Sequence, residues 1–322
     1  MQYTRLGNTG LNVSRICFGC MWFGEPGRGG IDARFGEGRA REVIRHAYDK
    51  GINFFDTANY YSLGASEEVL GKVIGEMGVR DDVVISTKSY YPMYQGTNAK
   101  GVTRKTLFRE VDASLRRLGT DYIDLYVPHR LDHDTPMEEQ MEALNDLVRS
   151  GKALYIGASA MHAWEFVRMN SIAREHGWAQ FVSMQDMYNL VYREEEREML
   201  PMLASEGIAC TPFSSLAGGV FARRPEDPRV DKCGAVQNDH AIESDREIVR
   251  RVWELAGRHG VSTSVIALAW NLSKPVVTSP LIGASKTEYV DDAIAALDLR
   301  LTPEECAYLE EPYVPHNQYG FR

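Results

Sequence analysis

A chain of 322 residues, 44% of them hydrophobic, has the length of one large α/β barrel or of two smaller domains. Its net charge of −9 and pI near 5.5 argue against non-specific nucleic-acid or anionic-membrane binding, while a local basic pocket for one phosphate stays open. The five cysteines are scattered, no apolar signal core opens the chain and no apolar run approaches membrane-spanning length, so a cytoplasmic protein without a membrane partner is expected.

Residues 3–6 and 11–13 flank Gly7-Asn8-Thr9-Gly10, a tight-turn composition that predicts a hairpin. A repeating pattern then begins. Residues 16–20 read as a strand, and after a Gly-rich loop over 24–38 comes a helix over 39–50, with Val43, Ile44 and Ala47 at helical spacing. Cys17 and Cys20 lie in that strand, so their C-x-x-C spacing reads as two half-buried thiols. Strand 52–55 precedes helix 66–75, with Ser66 as its N-cap. Strand 83–86 precedes helix 103–118. Strand 122–127 precedes a helix running to 150, opened by Thr135 as cap and Pro136 at the first helical position. The alternation continues through strand 153–156, helix 163–175, strand 181–184, helix 194–205 and strand 208–210. The irregular segment 214–244 reads as a functional loop, because the rhythm resumes after it. Helices over 245–260 and 263–271, a strand over 276–281, and helices over 287–296 and 303–309 complete the chain.

Short buried strands alternating with helices imply parallel pairing. Eight such units predict an α/β fold of the (β/α)₈ TIM-barrel type, one domain over 1–322, with the N-terminal hairpin capping its bottom and a long loop after strand seven. An open dinucleotide-binding sheet would carry G-x-G-x-x-G after its first strand, and Gly19-Cys20-Met21-Trp22-Phe23-Gly24 lacks that spacing.

Barrels of this kind gather functional groups at the C-terminal ends of their strands. In order, those ends carry Asp56, Lys88, His129, Ser159, Gln185, Phe213-Ser214 and Ser285-Lys286, and Tyr61 follows on the loop after strand two. Taken singly, a strand-end Asp is usually a loop cap, a Lys a solvated charge, a Tyr rim packing and a His a hydrogen-bonded loop residue. Together they have a readable chemistry. An ammonium beside a phenol lowers its pKa from about 10. A carboxylate compensates the ammonium, and a histidine orients a carbonyl oxygen. Such a tyrosine exchanges a proton with an alkoxide or alcohol, and the hydride partner has to come from a nicotinamide cofactor. The competing metal reading of His129, Asp132, His133 and Asp134 is disfavoured: the cluster lies on a loop before a helix, where Asp134 or Thr135 serves as a cap, and Arg130 sits within it. No metal is expected. A Ser nucleophile lacks the G-x-S-x-G turn.

Four stretches carry a resemblance that covers almost the whole chain: 3–11 (YTRLGNTGL), 53–58 (NFFDTA), 115–126 (LRRLGTDYIDLY) and 151–159 (GKALYIGAS). They are similar to the aldo-keto reductase superfamily, and segment 188–198 (YNLVYREEERE) is typical of its bacterial, fungal and channel β-subunit-like branches. The resemblance implies a tetrad of Asp56, Tyr61, Lys88 and His129 with Tyr61 as general acid, and NADPH, rather than NADH, bound across the barrel top. It implies Ser159 and Gln185 at the nicotinamide carboxamide and Phe213 on the ring. Ser214, Leu216 and Gly218 then lie at the pyrophosphate, and Ser285 and Lys286 near the 2′-phosphate. Tyr289 and Asp292 fall on the adenine side, and Gly19, Met21, Trp22 and Gly283 are further cofactor contacts. The departures are Ala160 where Asn or Ser is common, Asp186-Met187-Tyr188 where Asn-His-Tyr is common, Gly218 where many relatives carry Arg, and Tyr289 and Asp292 where Gln and Glu are familiar.

The substrate is expected to be a small carbonyl compound. Trp22, Tyr90, Tyr91 and Arg130, with Tyr61 and His129, line the expected mouth. The aromatics suit a ring-bearing carbonyl or a sugar face, or pack the loops. Arg130 meets an acidic substrate group or pairs with Asp132. Three functions fit: an NADPH-dependent carbonyl reductase, a sugar or natural-product ketoreductase, and a nucleotide-sensing regulatory subunit like the channel-associated relatives. The lack of an extra N-terminal segment weighs toward a free-standing enzyme, and the sequence carries no oligomeric signature.

Overall fold

The computed structural model describes residues 1–228, 230 and 242–318. Cys233 and most of the second half of the expected 214–244 loop lie outside them. Strands β1 (Tyr3–Arg5) and β2 (Asn12–Ser14) form the antiparallel hairpin, with Tyr3 opposite Ser14.

The other strands alternate with helices as the sequence pattern demands. They are β3 (Cys17–Gly19), β4 (Phe54–Asp56), β5 (Val84–Ser89), β6 (Ile123–Pro128), β7 (Ala153–Ser159), β8 (Phe181–Gln185), β9 (Ala209–Cys210) and β10 (Leu281–Ile282). All pair in parallel, in the order β10-β3-β4-β5-β6-β7-β8-β9. The backbone then closes the ring: Thr278 donates to Cys210 O at 2.8 Å and Leu281 to Pro212 O at 2.8 Å. This is a (β/α)₈ barrel. The helices are α1 (Glu37–Asp49), α2 (Ala65–Met77), α3 (Arg104–Leu118), α4 (Met137–Arg149), α5 (Ala163–His176), α6 (Met199–Glu206), α7 (Ile242–His259), α8 (Thr263–Leu272), α9 (Thr287–Ala295) and α10 (Pro303–Glu310). Among the described residues, no helix is long and apolar enough to cross a membrane.

Strand periodicity divides the core. Phe18, Phe55, Ile85 and Tyr126 face outward into the large cluster shared with the helices. Their neighbours Cys17, Phe54, Val84, Leu125 and Val127 fill the barrel interior, together with Leu6 and Val13 from the hairpin. The hairpin therefore plugs one end. Successive side chains alternate faces, so the interior positions two residues further along are Asp56 and, on β5, Ser86 and then Lys88. The pattern that buries Phe54 and Val84 is what delivers charged groups to the opposite end. Where β7 runs beside β8, at the register shift between Ile156 and Ala158, there is no room for a side chain: an added Cβ at Gly157 would run into Ser183 Oγ.

Several local expectations are corrected. Ser66 lies inside α2, whose N-cap is Gly64, and its hydroxyl donates to Cys20 O at 2.9 Å. Thr135 does not cap α4. Its hydroxyl donates to Asp132 at 2.8 Å, and Pro136 takes the cap position. The helix expected over 194–205 is broken into a 3₁₀ turn (Glu194–Glu196) and α6. The last strand begins at Leu281 rather than 276, since Val277 is drawn into a turn by Lys274 O and Pro280 has no N–H to donate. Thr103, read as the first residue of its helix, is the N-cap of α3, accepting from Thr106 N–H at 3.2 Å.

Candidate active site

Lys88 and Asp56 are the centre of the rim. Lys88 is fully buried and Asp56 2% exposed. Lys88 Nζ donates to Asp56 Oδ1 at 2.5 Å and to Thr57 O at 2.8 Å. Asp56 Oδ2 accepts from Gln185 Nε2 at 3.0 Å, from across the barrel. Burial pulls the Lys88 ammonium down, but Asp56 and Tyr61 outweigh it and leave its pKa above the ordinary lysine value. A buried charge needs this degree of compensation to persist.

Tyr61 and His129 stand over this pair. Their rings meet edge to face at 5.8 Å and 82°, and Lys88 Nζ is 5.3 Å from the Tyr61 ring centre. The chain between Asp56 and Tyr61 is held by extension of strand pairing: Thr57 donates to Ser86 O and Asn59 to Lys88 O. Beyond Tyr61 the backbone turns left-handed at Ser62, Leu63 and Gly64 (φ 48°, 44° and 92°). Non-glycine residues adopt that region at a cost, met here by Ser62 bonding Ile31 O and Glu25 O. The Gly-rich loop reaches over because Gly30 packs directly on the Tyr60 carbonyl.

The two candidate proton carriers are distinguished by their surroundings. The expectation that Lys88 lowers the Tyr61 pKa is corrected: burial, chiefly, raises the phenol above its ordinary range, with Lys88 opposing and Asp56 adding to it. Burial pushes the His129 imidazolium well below its usual pKa, reinforced by Lys88 and Arg130. At neutral pH the tyrosine therefore holds its proton and the histidine is uncharged. The arrangement can protonate an oxygen that gains negative charge beside Tyr61.

The closed strand order sorts the remaining candidates into two arcs. Gly19, Met21 and Trp22 (after β3), Ser159 (β7), Gln185 (β8), Phe213 to Gly218 (after β9) and Gly283 to Asp292 (after β10) form one contiguous arc. Tyr90, Tyr91 and Arg130, after β5 and β6, form the other. Asp56 touches both, through Gln185 and Lys88.

The first arc has features that fit an extended nucleotide. Ser159 donates to Gln185 O at 2.9 Å, and Gln185 gives its amide nitrogen to Asp56, which leaves its amide oxygen for a ligand. Ala160 is left-handed (φ 47°). Ser214, Ala217, Gly218 and Gly219 are also left-handed (φ 55°, 49°, 63° and 88°), a bent backbone of the kind that turns amides toward anions. Phe213 is half-buried and packs with Met187 and Tyr192. Leu216 opens the short 3₁₀ segment that follows. Trp22 lies beside Gly283, and Arg34 covers its ring at 3.6 Å. Ser285 and Lys286 precede the N-terminus of α9, where amides favour phosphate. Lys286 is exposed, meets no carboxylate among the described residues, and lies 5.9 Å from the Tyr289 ring. Asp292 accepts from Ser262 Oγ at 2.8 Å, so it is tied to the cap of α8.

In the second arc, the Tyr60 and Tyr91 rings are 4.9 Å apart, Tyr90 and Tyr91 5.3 Å, and Tyr91 and His129 5.2 Å. Sequence reading missed Tyr60; its signal was the adjacent Tyr61. It also missed the buried support behind Lys88, in which Thr87 donates to Glu67 at 2.6 Å and Arg117 to the same carboxylate at 2.6 Å. Of the metal-like cluster, His133 meets Glu165 at 3.0 Å and Asp132 accepts from Val102, Asp134 and Thr135, not from Arg130.

The rim thus sets a buried Lys–Asp pair under a protonated tyrosine and a neutral histidine, a set able to give a proton to an oxygen that gains negative charge. The family model "Aldo/keto reductase family" matches residues 15–313. Versiconal hemiacetal acetate reductase of Aspergillus parasiticus is 43% identical, over 98% of each chain. A putative aryl-alcohol dehydrogenase of Saccharomyces cerevisiae is 39% identical, over 99% of this chain and 98% of its own. An aldo-keto reductase of Alternaria alternata is 41% identical, over 97% and 91%. The chain belongs to the aldo/keto reductase family, whose members generally use a nicotinamide nucleotide.

Proposed function

We propose that this protein reduces an aromatic aldehyde or ketone with NADPH, Tyr61 delivering the proton. The observation that carries the proposal is the buried Lys88–Asp56 pair beneath Tyr61, with His129 edge-on beside it. The nucleotide supplies the hydride when bound. Ser159 and Gln185 would hold its carboxamide and Phe213 its ring. Ser214, Leu216 and Gly218 would hold the pyrophosphate and Lys286 the 2′-phosphate.

Neutral His129 orients the carbonyl oxygen. Tyr61 gives that oxygen its proton as negative charge develops there. Lys88 stabilises the phenolate left behind, and Asp56 keeps Lys88 charged and in place. An aromatic substrate is favoured by the Tyr60, Tyr90 and Tyr91 rings beside His129. It also accords with the aryl-alcohol name of one relative.

Tyr61→Phe should lower kcat for benzaldehyde reduction by about 10²–10⁴-fold, with NADPH binding, followed by fluorescence, retained. Wild-type turnover in that variant would overturn the role of Tyr61. Lys286→Ala should narrow the NADPH-over-NADH preference in kcat/KM by about tenfold, the scale of one charge-assisted contact. An unchanged ratio would remove Lys286 from the 2′-phosphate.

A further inference from the structure

Arg130 follows His129 on the loop after β6 and is half-buried. Its Nη1 donates to the His129 carbonyl at 2.6 Å, and its guanidinium carbon lies 5.9 Å from the Tyr91 ring centre. Its charge reaches Tyr61, His129 and Tyr90. Among the described residues no carboxylate pairs with it. Asp132, two positions on, is used up by the Val102 and Asp134 amides and the Thr135 hydroxyl. Asp186, an acid its charge does reach, makes no hydrogen bond to it.

Of the other half-buried arginines, Arg15 meets only the Leu272 carbonyl, but three others meet carboxylates. Arg117 meets Glu67 at 2.6 Å, Arg193 meets Glu196 at 2.7 Å and Arg251 meets Glu247 at 2.8 Å. A guanidinium withdrawn from water normally has an anion, because desolvation without pairing costs free energy. Here the cation is fixed on the substrate arc with that anion missing. Spacings of 5.2 Å from His129 to Tyr91 and 5.9 Å from Tyr91 to Arg130 place a carbonyl-orienting group, an aromatic wall and a cation within the span of one small molecule.

We propose that Arg130 is a specificity-determining residue that selects carbonyl substrates bearing a carboxylate on the aromatic ring. The aldehyde lies at Tyr61 and His129, the ring against Tyr91, and the carboxylate on the guanidinium fork, which matches its geometry. This rests on the reading of the site as a carbonyl reductase.

The test compares 4-carboxybenzaldehyde and 3-carboxybenzaldehyde with their methyl esters, which keep the ring and remove the charge, and with benzaldehyde as control. Wild type should favour at least one acid over its ester by about tenfold in kcat/KM, mostly through KM. The preference should shrink as salt is raised. Arg130→Met should abolish the acid-to-ester ratio. Arg130→Lys should retain part of it, with a point charge in place of the fork. Because the readout is a ratio within each variant, a general loss of activity does not mimic the effect. If wild type treats acids and esters alike while reducing benzaldehyde, or Arg130→Met keeps the ratio, the anchor is wrong and the reductase reading stands. If wild type reduces none of these aldehydes, both fall.

Discussion

Gln185 and Asp186 are neighbours at the end of one strand, yet the two faces of the barrel wall treat buried charge in opposite ways. On the inner face, Gln185 completes a set in which Asp56 has a cation on one oxygen and an amide on the other. On the other side, Asp186 is 3% exposed and, among the described residues, neither carboxylate oxygen has a hydrogen bond of normal geometry, the Ala160 amide giving only weak support. Burial raises its pKa well above the carboxylate range, and Glu195 raises it further. Glu195 is itself pushed up to about 7, by burial first and then by Glu194. The inner group is charged and preorganised. The outer acids are pushed toward their protonated forms because burial outweighs what opposes it, the Ala160 amide and Arg130 for Asp186 and Tyr192 for Glu195. Burial alone therefore does not mark a functional carboxylate; the compensating partner does.

The strongest way to break this contrast is to remove one half of the compensated pair. Lys88→Met leaves Asp56 buried without its cation and should destabilise the fold by about 3–5 kcal/mol in urea denaturation, with reductase turnover lost. Adding Asp56→Asn should restore most of the stability and none of the activity. If Lys88→Met alone were as stable as wild type, the pair would not be the tightly coupled unit described here.

Relieving the uncompensated acids should have the opposite sign and a smaller size. The folded-state pKa of Glu195 lies above its unfolded value, and so does that of Asp186. The unfolded chain therefore releases these protons first, and stability falls as pH rises through about 7. Asp186→Asn should stabilise the protein by about 1–3 kcal/mol at pH 8.5 and by less at pH 5.5. Equal effects at both pH values would mean that Asp186 is already ionised in the native state.

The smallest expected effect is a flat line. Since His129 is uncharged and Tyr61 protonated near neutrality, kcat for reduction should show no step around the ordinary histidine pKa and should fall only in strong alkali, as Tyr61 ionises. A step near pH 6.5 would transfer the proton donor's role to His129.

Much of this was legible beforehand. Alternating short strands and helices give the barrel, and Asp56 and Lys88 are readable because strand period two carries their faces from the apolar Phe54 and Val84 to the rim. The turn composition around Gly7 and Gly10 yields the hairpin that plugs the other end. Cap assignments at Ser66 and Thr135 failed through register: the helices take Gly64 and Pro136 as N-caps, and the two hydroxyls donate outside their helices, to Cys20 O and Asp132. Arg130 was left between a substrate anion and Asp132, a choice local sequence has no means of making. Whether Asp132 is free depends on Val102, 30 residues away.

The amino-acid sequence by itself determined the eight repeating units and which residue types stand at each strand end, because side-chain direction along a strand and turn chemistry are local properties. The tertiary structure decided which of those groups face one another. Asp56 and Gln185, 129 positions apart, become partners, while Asp186 next door finds no such side-chain partner among the described residues. Protonation and charge compensation follow from desolvation and Coulomb interaction, which depend on distance in space. Only ring closure of the barrel fixes those distances.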